Sequence, residues 1–318
     1  MSRSGILLFS IALVLLAVTL SVLAYVIYQY LPGDPKILNV STGNPPNLTT
    51  ANLSYEVEQF APNMKFNHNS ISYKINQDCK EEKRERMIEA FNELAGRVGF
   101  INFYEDNDGE IEVSCSQKAE HQIDKDYFIA GEGGAEEVII TERYHVITGG
   151  VILLYDNSKG IVCEWANIEL HELLHVFGFM HSENKESLMY PLLESCDQKL
   201  DESIISDLKE LYSRENLADL YFKEVVAVKK GIYLDFNVTV KNSGVINASN
   251  VILRVLENNK KLKDFELSEI PFGAGATFQV SSVRLNSRSS DELKMVIDPD
   301  NLIKEIDEDN NLAELGLN

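Results

Sequence analysis

Hydrophobic positions divide the chain into three parts with different spacing. The first part, from Ile6 to Leu31, is predominantly apolar and contains no charged residue. The middle part mixes short alternating runs with segments such as Lys80–Val98, whose apolar side chains recur every three to four residues; these patterns predict strands and an amphipathic helix. After about Ala218, short β-rich runs separated by turn residues predict a β-sandwich of about 100 residues.

The middle part predicts a series of strands and two further helices. Strands are expected at Ser70–Asn76, Phe100–Tyr104, Ile111–Cys115, Tyr127–Ala130, Val138–Thr141 and Val151–Tyr155, and helices at Ala166–Phe177 and Ser203–Tyr212. The run Gly131–Gly134 is expected to be flexible. These elements place one domain at residues 63–217 and the sandwich at residues 218–318. Residues 32–62, rich in Pro, Asn, Thr and Ser, are expected to form a stalk before them.

The apolar first part predicts a transmembrane signal anchor at residues 6–31. As a helix it is roughly 39 Å long at about 1.5 Å per residue, enough to cross a bilayer. A cleaved signal peptide usually has an apolar core of about 7–15 residues that ends at small residues, so it is the less favoured alternative, together with a buried core helix. Aromatic residues typical of a membrane interface lie at the end of the stretch: Tyr25, Tyr28 and Tyr30.

Charge sets the expected orientation and limits the partners. Arg3 precedes the apolar stretch, so residues 1–5 are expected to be cytoplasmic and the remainder extracellular, on a single-pass protein of the cell membrane. The chain has 29 Lys+Arg against 50 Asp+Glu and a net charge of −21. This balance argues against a broad nucleic-acid interface, because phosphates require clustered basic side chains.

The four cysteines, an even number in a chain that has the features of an exported protein, predict two disulfides. Three pairings exist, and sequential pairing is favoured. The first two cysteines adjoin strand ends in the first half of the domain, and the last two bracket the histidine motif described next. Metal ligation is the alternative, although no two of them form a C-x-x-C pair. The candidates are Cys79, Cys115, Cys163 and Cys196.

The sequence H-E-L-L-H-V-F-G-F-M-H, which begins at His171, carries the candidate chemistry. On a helix, His171 and His175 lie one turn apart on the same face and can hold one metal ion. Gly178 can end the helix with a positive φ, so that His181 becomes a third ligand. Three ligands leave a position for water, as in a catalytic zinc site, and Glu172 is placed to take a proton from the zinc-bound water and pass it to the leaving amine. The alternative is an ordinary amphipathic helix with solvated histidines.

Together with the sequence S-L-M-Y-P at residues 187–191, this motif resembles the metzincin clan of zinc endopeptidases and is most similar to its matrixin branch. The resemblance implies an α+β catalytic domain with a mixed twisted sheet plus helices. It also implies one catalytic Zn²⁺, with Glu172 as the base and three ligands: His171, His175 and His181.

The same resemblance implies roles for the residues around the metal. Met189 would lie beneath the zinc, and Tyr190 and Pro191 would form a wall of the pocket for the residue after the scissile bond. The edge strand that binds substrate would fall near Tyr127–Gly131. No Pro-Arg-Cys-Gly latency segment is found, and the structural zinc and Ca²⁺ sites of animal matrixins cannot be traced. Three histidines are therefore interpreted as ordinary residues: His68, His121 and His145.

The end of the chain, Ile297–Asn311, resembles the last part of CARDB-type immunoglobulin-like domains, which are common on prokaryotic cell surfaces. The resemblance implies an all-β immunoglobulin-like sandwich that presents substrate, binds a surface partner or acts as a spacer. Its acidic run does not match a D-x-[DN]-x-[DN]-G loop, so a solvated acidic edge is favoured over a Ca²⁺ site.

The function predicted from these observations is a membrane-anchored extracellular zinc endopeptidase that cleaves protein or peptide substrates. The competing interpretation is a cell-surface binding or adhesion protein with a vestigial or structural zinc site. Glu172 beside a complete ligand set argues against it, because a binding protein has no need of that carboxylate. An exopeptidase or another zinc hydrolase is a third interpretation, and peptides with blocked ends distinguish it.

Overall fold

The computed structural model describes residues 3–46, 57–117, 129–156, 163–290 and 292–316. Four helices lie in these ranges: α1 (Arg3–Tyr30), α2 (Glu81–Val98), α3 (Asn167–Val176) and α4 (Glu202–Ser213). Within α1, the part from Ser10 to Tyr30 has the length and apolar composition of a membrane span, properties that a signal sequence near the N-terminus shares, and none of it is buried.

The middle domain is built on one mixed sheet of six strands, β3 to β8. The first eight strands are β1 (Pro35–Ile37), β2 (Asn39–Thr42), β3 (Met64–Phe66), β4 (Ser70–Ile75), β5 (Asn102–Glu105), β6 (Ile111–Ser116), β7 (Gly131–Ile140) and β8 (His145–Tyr155). Parallel pairing gives the order β3-β8-β6-β4-β5, and β7 pairs antiparallel with β8. Within the described ranges no strand pairs with the outer edge of β7, so this edge has backbone groups available for a partner strand.

The helices cover this sheet with their apolar faces. The periodic positions of α2 are buried, and the ring of Phe91 stacks on Tyr73 of β4 at 4.2 Å between centroids. Gly99 ends α2 with φ 76°, in the left-handed region that glycine adopts without strain. The same core includes buried side chains of α3 and α4, so the helix with the histidine motif is held by apolar packing on its other face.

The prediction of a flexible run at Gly131–Gly134 is wrong, because these residues lie inside β7. Two of the glycines are required by the close approach of α3: a Cβ atom on Gly131 would lie 2.7 Å from the Cγ of Glu172, and one on Gly133 would lie 2.2 Å from the Glu172 carbonyl oxygen. The strand expected at Val138–Thr141 corresponds to the end of β7, which stops at Ile140. Of the expected strand Tyr127–Ala130, the first two residues lie outside the described ranges, and the last two precede β7 without forming a strand.

The second domain is an all-β sandwich. Its remaining strands are β9 (Leu220–Lys230), β10 (Tyr233–Asn242), β11 (Ile252–Glu257), β12 (Lys260–Glu266), β13 (Gly275–Arg284), β14 (Leu293–Ile297) and β15 (Leu312–Gly316). One sheet has the order β1-β9-β10-β13 and the other β12-β11-β14-β15-β2. The fold class predicted from the sequence, an α+β domain behind an apolar helix and before an immunoglobulin-like sandwich, is confirmed.

The predicted stalk at residues 32–62 is wrong over much of the part that the structure describes. Residues 35–42 form β1 and β2, which are edge strands of the sandwich. From Val57 onward the chain packs against the middle domain, where Val57 is buried in the core. The sequence did not indicate these two segments, because each is short and its partners lie far away in the chain. Residues 47–56 lie outside the described ranges.

Candidate metal centre

Three histidine rings converge at one end of α3. Nε2 of His175 lies 3.1 Å from Nε2 of His171 and 3.2 Å from Nε2 of His181, and the remaining pair is 3.3 Å apart. Nitrogen ligands at about 2.0–2.1 Å from a tetrahedral zinc are about 3.3 Å from one another. The three nitrogens therefore fit the spacing that a zinc ion requires. Among the residues described, no other group of His, Cys, Asp or Glu side chains meets at a comparable spacing.

Backbone carbonyls fix the orientation of two of these rings. Nδ1 of His171 lies 2.7 Å from the carbonyl oxygen of Leu188, and Nδ1 of His175 lies 2.7 Å from that of Phe179. A carbonyl only accepts, so each Nδ1 carries the hydrogen and each Nε2 has a free lone pair. Burial lowers the pKa of His171 to about 4 and also lowers the pKa of His175, which favours the neutral, metal-binding form.

Gly178 brings the third histidine to the site. It has φ 86°, and a Cβ atom there would lie 2.4 Å from the Sδ of Met64. The turn is held by a segment that the sequence did not indicate: Met180 N–H donates to Glu58 O, and Phe60 N–H donates to Gly178 O, both at 2.9 Å. The side-chain amide of Gln59 also donates to Phe177 O at 2.8 Å. Nothing in the local pattern of residues 58–60 could have revealed this contact, because it is made across the fold.

The turn that contains Met189 lies against both ends of the histidine motif. Its Leu188 carbonyl accepts from His171, and the Met189 carbonyl accepts from the N–H of Ser182, next to the third histidine, at 2.8 Å. Met189 is fully buried, Tyr190 is half-buried and Pro191 is exposed. Met189, Tyr190 and Pro191, for which roles around the metal are expected, therefore directly follow Leu188, the residue whose carbonyl orients His171.

Glu172 lies on α3 with its side chain buried, next to β7. Burial and the neighbouring carboxylates of Glu132 and Glu169 raise its pKa to about 8. Its Oε1 would be 2.9 Å from a Cβ atom on Gly131, so the strand passes directly over the carboxyl group. The carboxyl is thus excluded from bulk water on the strand side, beside the helix face that carries the histidines.

A cleft of about 490 Å³ adjoins the histidines on the side of β7. Two apolar side chains, Phe60 and Met180, remain 57% and 43% exposed there, although residues of this type are usually buried. The cleft can therefore receive apolar groups beside the metal-binding nitrogens. Its lining residues are Phe60, Gly133, Gly134, Ala135, His175, Phe179, Met180 and His181.

Two disulfides brace the middle domain, and one buried ion cluster joins α3 to α2. Cys79 is joined to Cys115 and Cys163 to Cys196, which is the sequential pairing expected from the sequence. The second bridge connects the segment before α3 to the chain after the Met189 turn. The fully buried Glu169 of α3 pairs with two cations of α2, Lys83 and Arg86, at 3.1 and 3.4 Å.

The other histidines lie away from this centre. Nε2 of His68 lies 2.7 Å from Oε1 of Glu110, and Nδ1 of His145 lies 2.9 Å from the carbonyl oxygen of Pro62. Both have ordinary structural partners within the middle domain. His121 lies outside the described residues.

Comparison with known families and structures gives two domain matches. Residues 65–213 match the family model described as Matrixin, and residues 217–314 match the model described as CARDB. A matrixin domain supports hydrolase, protease and metalloprotease activity in general and implies zinc binding. No curated protein matches the chain.

Three of the similar solved structures each cover 32% of this chain. The solution NMR structure of the CARDB domain of PF1109 from Pyrococcus furiosus is 16% identical, covers 32% of this chain and 96% of that chain, and has a TM-score of 0.25. The crystal structure of that domain in complex with di-metal ions is 17% identical, covers 32% and 88%, and has a TM-score of 0.26. A domain of a putative cell surface protein from Methanosarcina acetivorans is 14% identical, covers 32% and 91%, and has a TM-score of 0.26.

Proposed function

Because the chain carries a matrixin domain followed by a CARDB domain, we propose that it is a zinc endopeptidase whose metal is held by His171, His175 and His181. The observation that carries this proposal is the convergence of the three Nε2 atoms, all within 3.3 Å of one another, beside the buried carboxyl of Glu172. An adhesion protein would need neither the open nitrogen set nor this carboxyl group.

When bound, zinc would lower the pKa of a coordinated water and polarise the scissile carbonyl. Glu172 takes the proton from the attacking water and delivers it to the leaving amine. Burial raises the pKa of this carboxyl, which favours the protonated form that delivers the proton to the leaving amine. The Glu172 carboxyl is buried under β7, and this position keeps bulk water from competing for that proton.

Substrate binds as an additional strand on the outer edge of β7. An extended peptide can form main-chain hydrogen bonds with an unpaired strand edge, and the glycines of β7 let the strand pass close to Glu172. With the metal bound, Met189 would lie beneath it, and Tyr190 and Pro191 would form the wall that contacts the residue after the scissile bond. The apolar side chains of Phe60 and Met180 contact the substrate in the cleft beside His175 and His181.

We infer the cellular location of the protein from α1 and the disulfides. The helix anchors the protein in the membrane with residues 1–5 in the cytoplasm, and both folded domains lie outside the cell. Two disulfides, Cys79–Cys115 and Cys163–Cys196, are consistent with an oxidising environment. Arg3, the first residue of α1 and its single charged residue, supports this orientation.

The test of this function is cleavage of peptides whose amino and carboxyl ends are both blocked. The full chain in detergent, loaded with one equivalent of zinc, is expected to cut such peptides at internal bonds, with products identified by mass spectrometry. Removal of zinc with a chelator should abolish cleavage, and added zinc should restore it. Cleavage only of peptides with free ends would identify an exopeptidase. Zinc bound without any cleavage would favour the surface-binding protein.

A further inference from the structure

Strands β1 and β2 belong to the sandwich although they come directly after α1 in the sequence. β1 pairs antiparallel with β9, and β2 pairs antiparallel with β15. Both lie outside residues 217–314, the part of the chain that matches the CARDB family. Residues 35–42, called the attachment segment below, therefore complete a domain whose other strands lie at the opposite end of the chain.

The attachment segment closes one edge of each sheet. β1 is the edge strand of the first sheet and β2 the edge strand of the second. Between them, Leu38 is only 4% exposed: its side chain is buried in the sandwich core, and its N–H donates to Ala227 O at 2.9 Å. Pairing continues past β2, where the Gly43 N–H donates to Leu312 O at 3.0 Å. Without this segment the edges of β9 and β15 would expose unpaired backbone groups.

The end of α1 also contacts the sandwich. Arg288 donates hydrogen bonds to the carbonyls of Tyr28 and Leu31 at 2.6 and 2.8 Å, and its guanidinium lies 4.2 Å from the centre of the Tyr28 ring. Arg284 lies 4.7 Å from the centre of the Tyr30 ring. These contacts satisfy terminal carbonyls of the helix, which have no partner within it. The helix is thus joined to the sandwich immediately, without a free spacer.

The middle domain contacts the opposite end of the same sandwich strand. At the start of β9, the Tyr221 hydroxyl donates to the carboxylate of Glu142, in the turn between β7 and β8, at 2.6 Å. At the end of β9, Lys230 pairs with Pro35 of the attachment segment. A strand of this length spans about 33 Å at about 3.3 Å per residue. The sandwich therefore separates the helix from the catalytic domain by about the length of β9.

We propose that the C-terminal sandwich is the module that attaches the enzyme to its membrane anchor. The attachment segment is an integral part of the sandwich, which carries the catalytic domain on its far side. The chain between Thr42 and Val57 is then not what holds the enzyme on the membrane, and cutting it leaves the catalytic domain attached. This inference rests on the proposed membrane anchor but not on the proposed peptidase activity.

The experiment uses the full chain in proteoliposomes. A recognition sequence for a site-specific endoprotease is inserted between Pro46 and Asn47, and vesicles are sedimented after complete cutting. We expect the cut catalytic domain to sediment as fully as the uncut protein. A control with the same sequence between Pro32 and Gly33 should release it to the supernatant, because that cut separates the helix from the attachment segment. Release after the cut behind Pro46 would overturn the proposal.

The variant Leu38→Asp tests whether the attachment segment causes retention. It should sediment normally when uncut, because the chain is continuous, and should be released when cut behind Pro46. Continued retention of the cut variant would assign retention to some other contact and overturn the role of the segment. If even the uncut wild type is extracted from the vesicles by alkaline washing, the proposed membrane anchor fails instead.

Disulfide trapping tests the same pairing without a membrane. Ser41 and Glu314 are cross-strand partners on the exposed side of β2 and β15. The double variant Ser41→Cys/Glu314→Cys in detergent should join the two fragments covalently after oxidation and cutting behind Pro46, visible on a non-reducing gel. The control Ser41→Cys/Lys294→Cys, one strand further away, should not. Absence of the first cross-link would overturn the proposal even if Leu38→Asp fails to fold.

Discussion

The Nδ1 atom of His171 lies 2.7 Å from the carbonyl oxygen of Leu188, so the turn that contains Met189 orients the first histidine of the metal centre. The orientation matters because a ring rotated by a few tens of degrees would no longer direct its Nε2 lone pair at the shared metal position. A carbonyl that accepts from the Nδ1 of a metal-binding histidine fixes the tautomer and the direction of its ring. Whatever holds the turn against α3 should therefore affect zinc affinity as well as stability.

The disulfide between Cys163 and Cys196 is expected to have this double effect. It joins the chain before α3 to the chain after the Met189 turn, and the indole N–H of Trp165, the only tryptophan, donates to the Cys196 carbonyl at 3.0 Å. Replacing both cysteines by alanine should destabilise the domain by about 4 kcal/mol in the chain-entropy account. It should also weaken zinc binding in a chelator competition and change the Trp165 fluorescence.

The other disulfide provides a matched control. Cys79 and Cys115 are 36 residues apart, against 33 for the first pair, so the entropic effect on the unfolded chain is nearly equal. Its removal should lower the free energy of unfolding by a similar amount but leave zinc affinity unchanged once the protein is folded. Equal losses of zinc affinity in both variants would show that the Cys163–Cys196 bridge has no specific role at the metal centre.

Gly133 and Gly134 provide a test of how closely β7 approaches α3. A Cβ atom on Gly133 would lie 2.2 Å from the Glu172 carbonyl oxygen, whereas one on Gly134 would meet nothing within 4 Å. Gly133→Ala should therefore force strand and helix apart and lower the free energy of unfolding by about 1–3 kcal/mol. Gly134→Ala should be neutral or stabilising by about 0.4–1 kcal/mol. Urea unfolding of both variants measures the difference; equal stability would contradict the close approach.

The buried pair between Arg143 and Asp219 is expected to hold the two domains together. Arg143 Nε lies 2.5 Å from the fully buried Asp219 carboxylate. Arg143→Gln removes the ion-pair partner of this carboxylate and leaves it only hydrogen bonds such as those from Ser243 and Asn310, so it should lower the free energy of unfolding by about 3–5 kcal/mol. The exposed pair between Lys304 and Glu215 is the control. Lys304→Gln should change stability by about 0–1 kcal/mol. A small effect of Arg143→Gln in urea unfolding would contradict the importance of this contact.

The stability of the sandwich should decrease as the pH rises from about 4.5 to about 8 because of Glu305. Burial, with the neighbouring carboxylates of Glu308 and Asp219, raises the pKa of Glu305 from 4.5 to about 8. In this window the folded state keeps a proton that the unfolded state releases, so the free energy of unfolding falls as pH rises. Below about 4.5 both states are protonated and the group's contribution is fully present.

The variant Glu305→Gln cannot ionise and should flatten this pH dependence, measured as the unfolding temperature of the sandwich at pH 5, 6, 7 and 8. Its largest gain over the wild type should appear at pH 8. The exposed Glu266→Gln serves as control and should keep the wild-type slope. An unchanged slope in Glu305→Gln would show that the burial of Glu305 does not control the pH dependence.

The sequence predicted the parts of the site that depend on local spacing. His171 and His175 share a helix face because they are four residues apart, and Gly178 marks the turn that precedes His181. The helices α2, α3 and α4 were predicted within one or two residues because each has a sustained apolar period. The strands of the sandwich were recognisable from their alternation and turn residues.

Features that depend on distant partners were not predictable. The attachment segment pairs with strands near the other end of the chain, and its own composition is that of a linker. The run Gly131–Gly134 is expected to be flexible because glycine has little intrinsic preference for strands, but here the lack of a side chain at Gly131 and Gly133 permits the close approach to Glu172. The contact of Gln59 with the turn at Gly178 likewise joins residues that no local pattern connects.

The most direct test of the account compares wild-type protein with Glu172→Gln at equal zinc content. The substitution keeps the shape of the side chain but removes its ability to take a proton, whereas the three histidines are unchanged. The variant is expected to bind one zinc with wild-type affinity and to cleave an end-blocked peptide more slowly by a factor of about 10²–10⁴, the usual contribution of a general base. Undiminished cleavage by the zinc-loaded variant would contradict the role of Glu172 as the base.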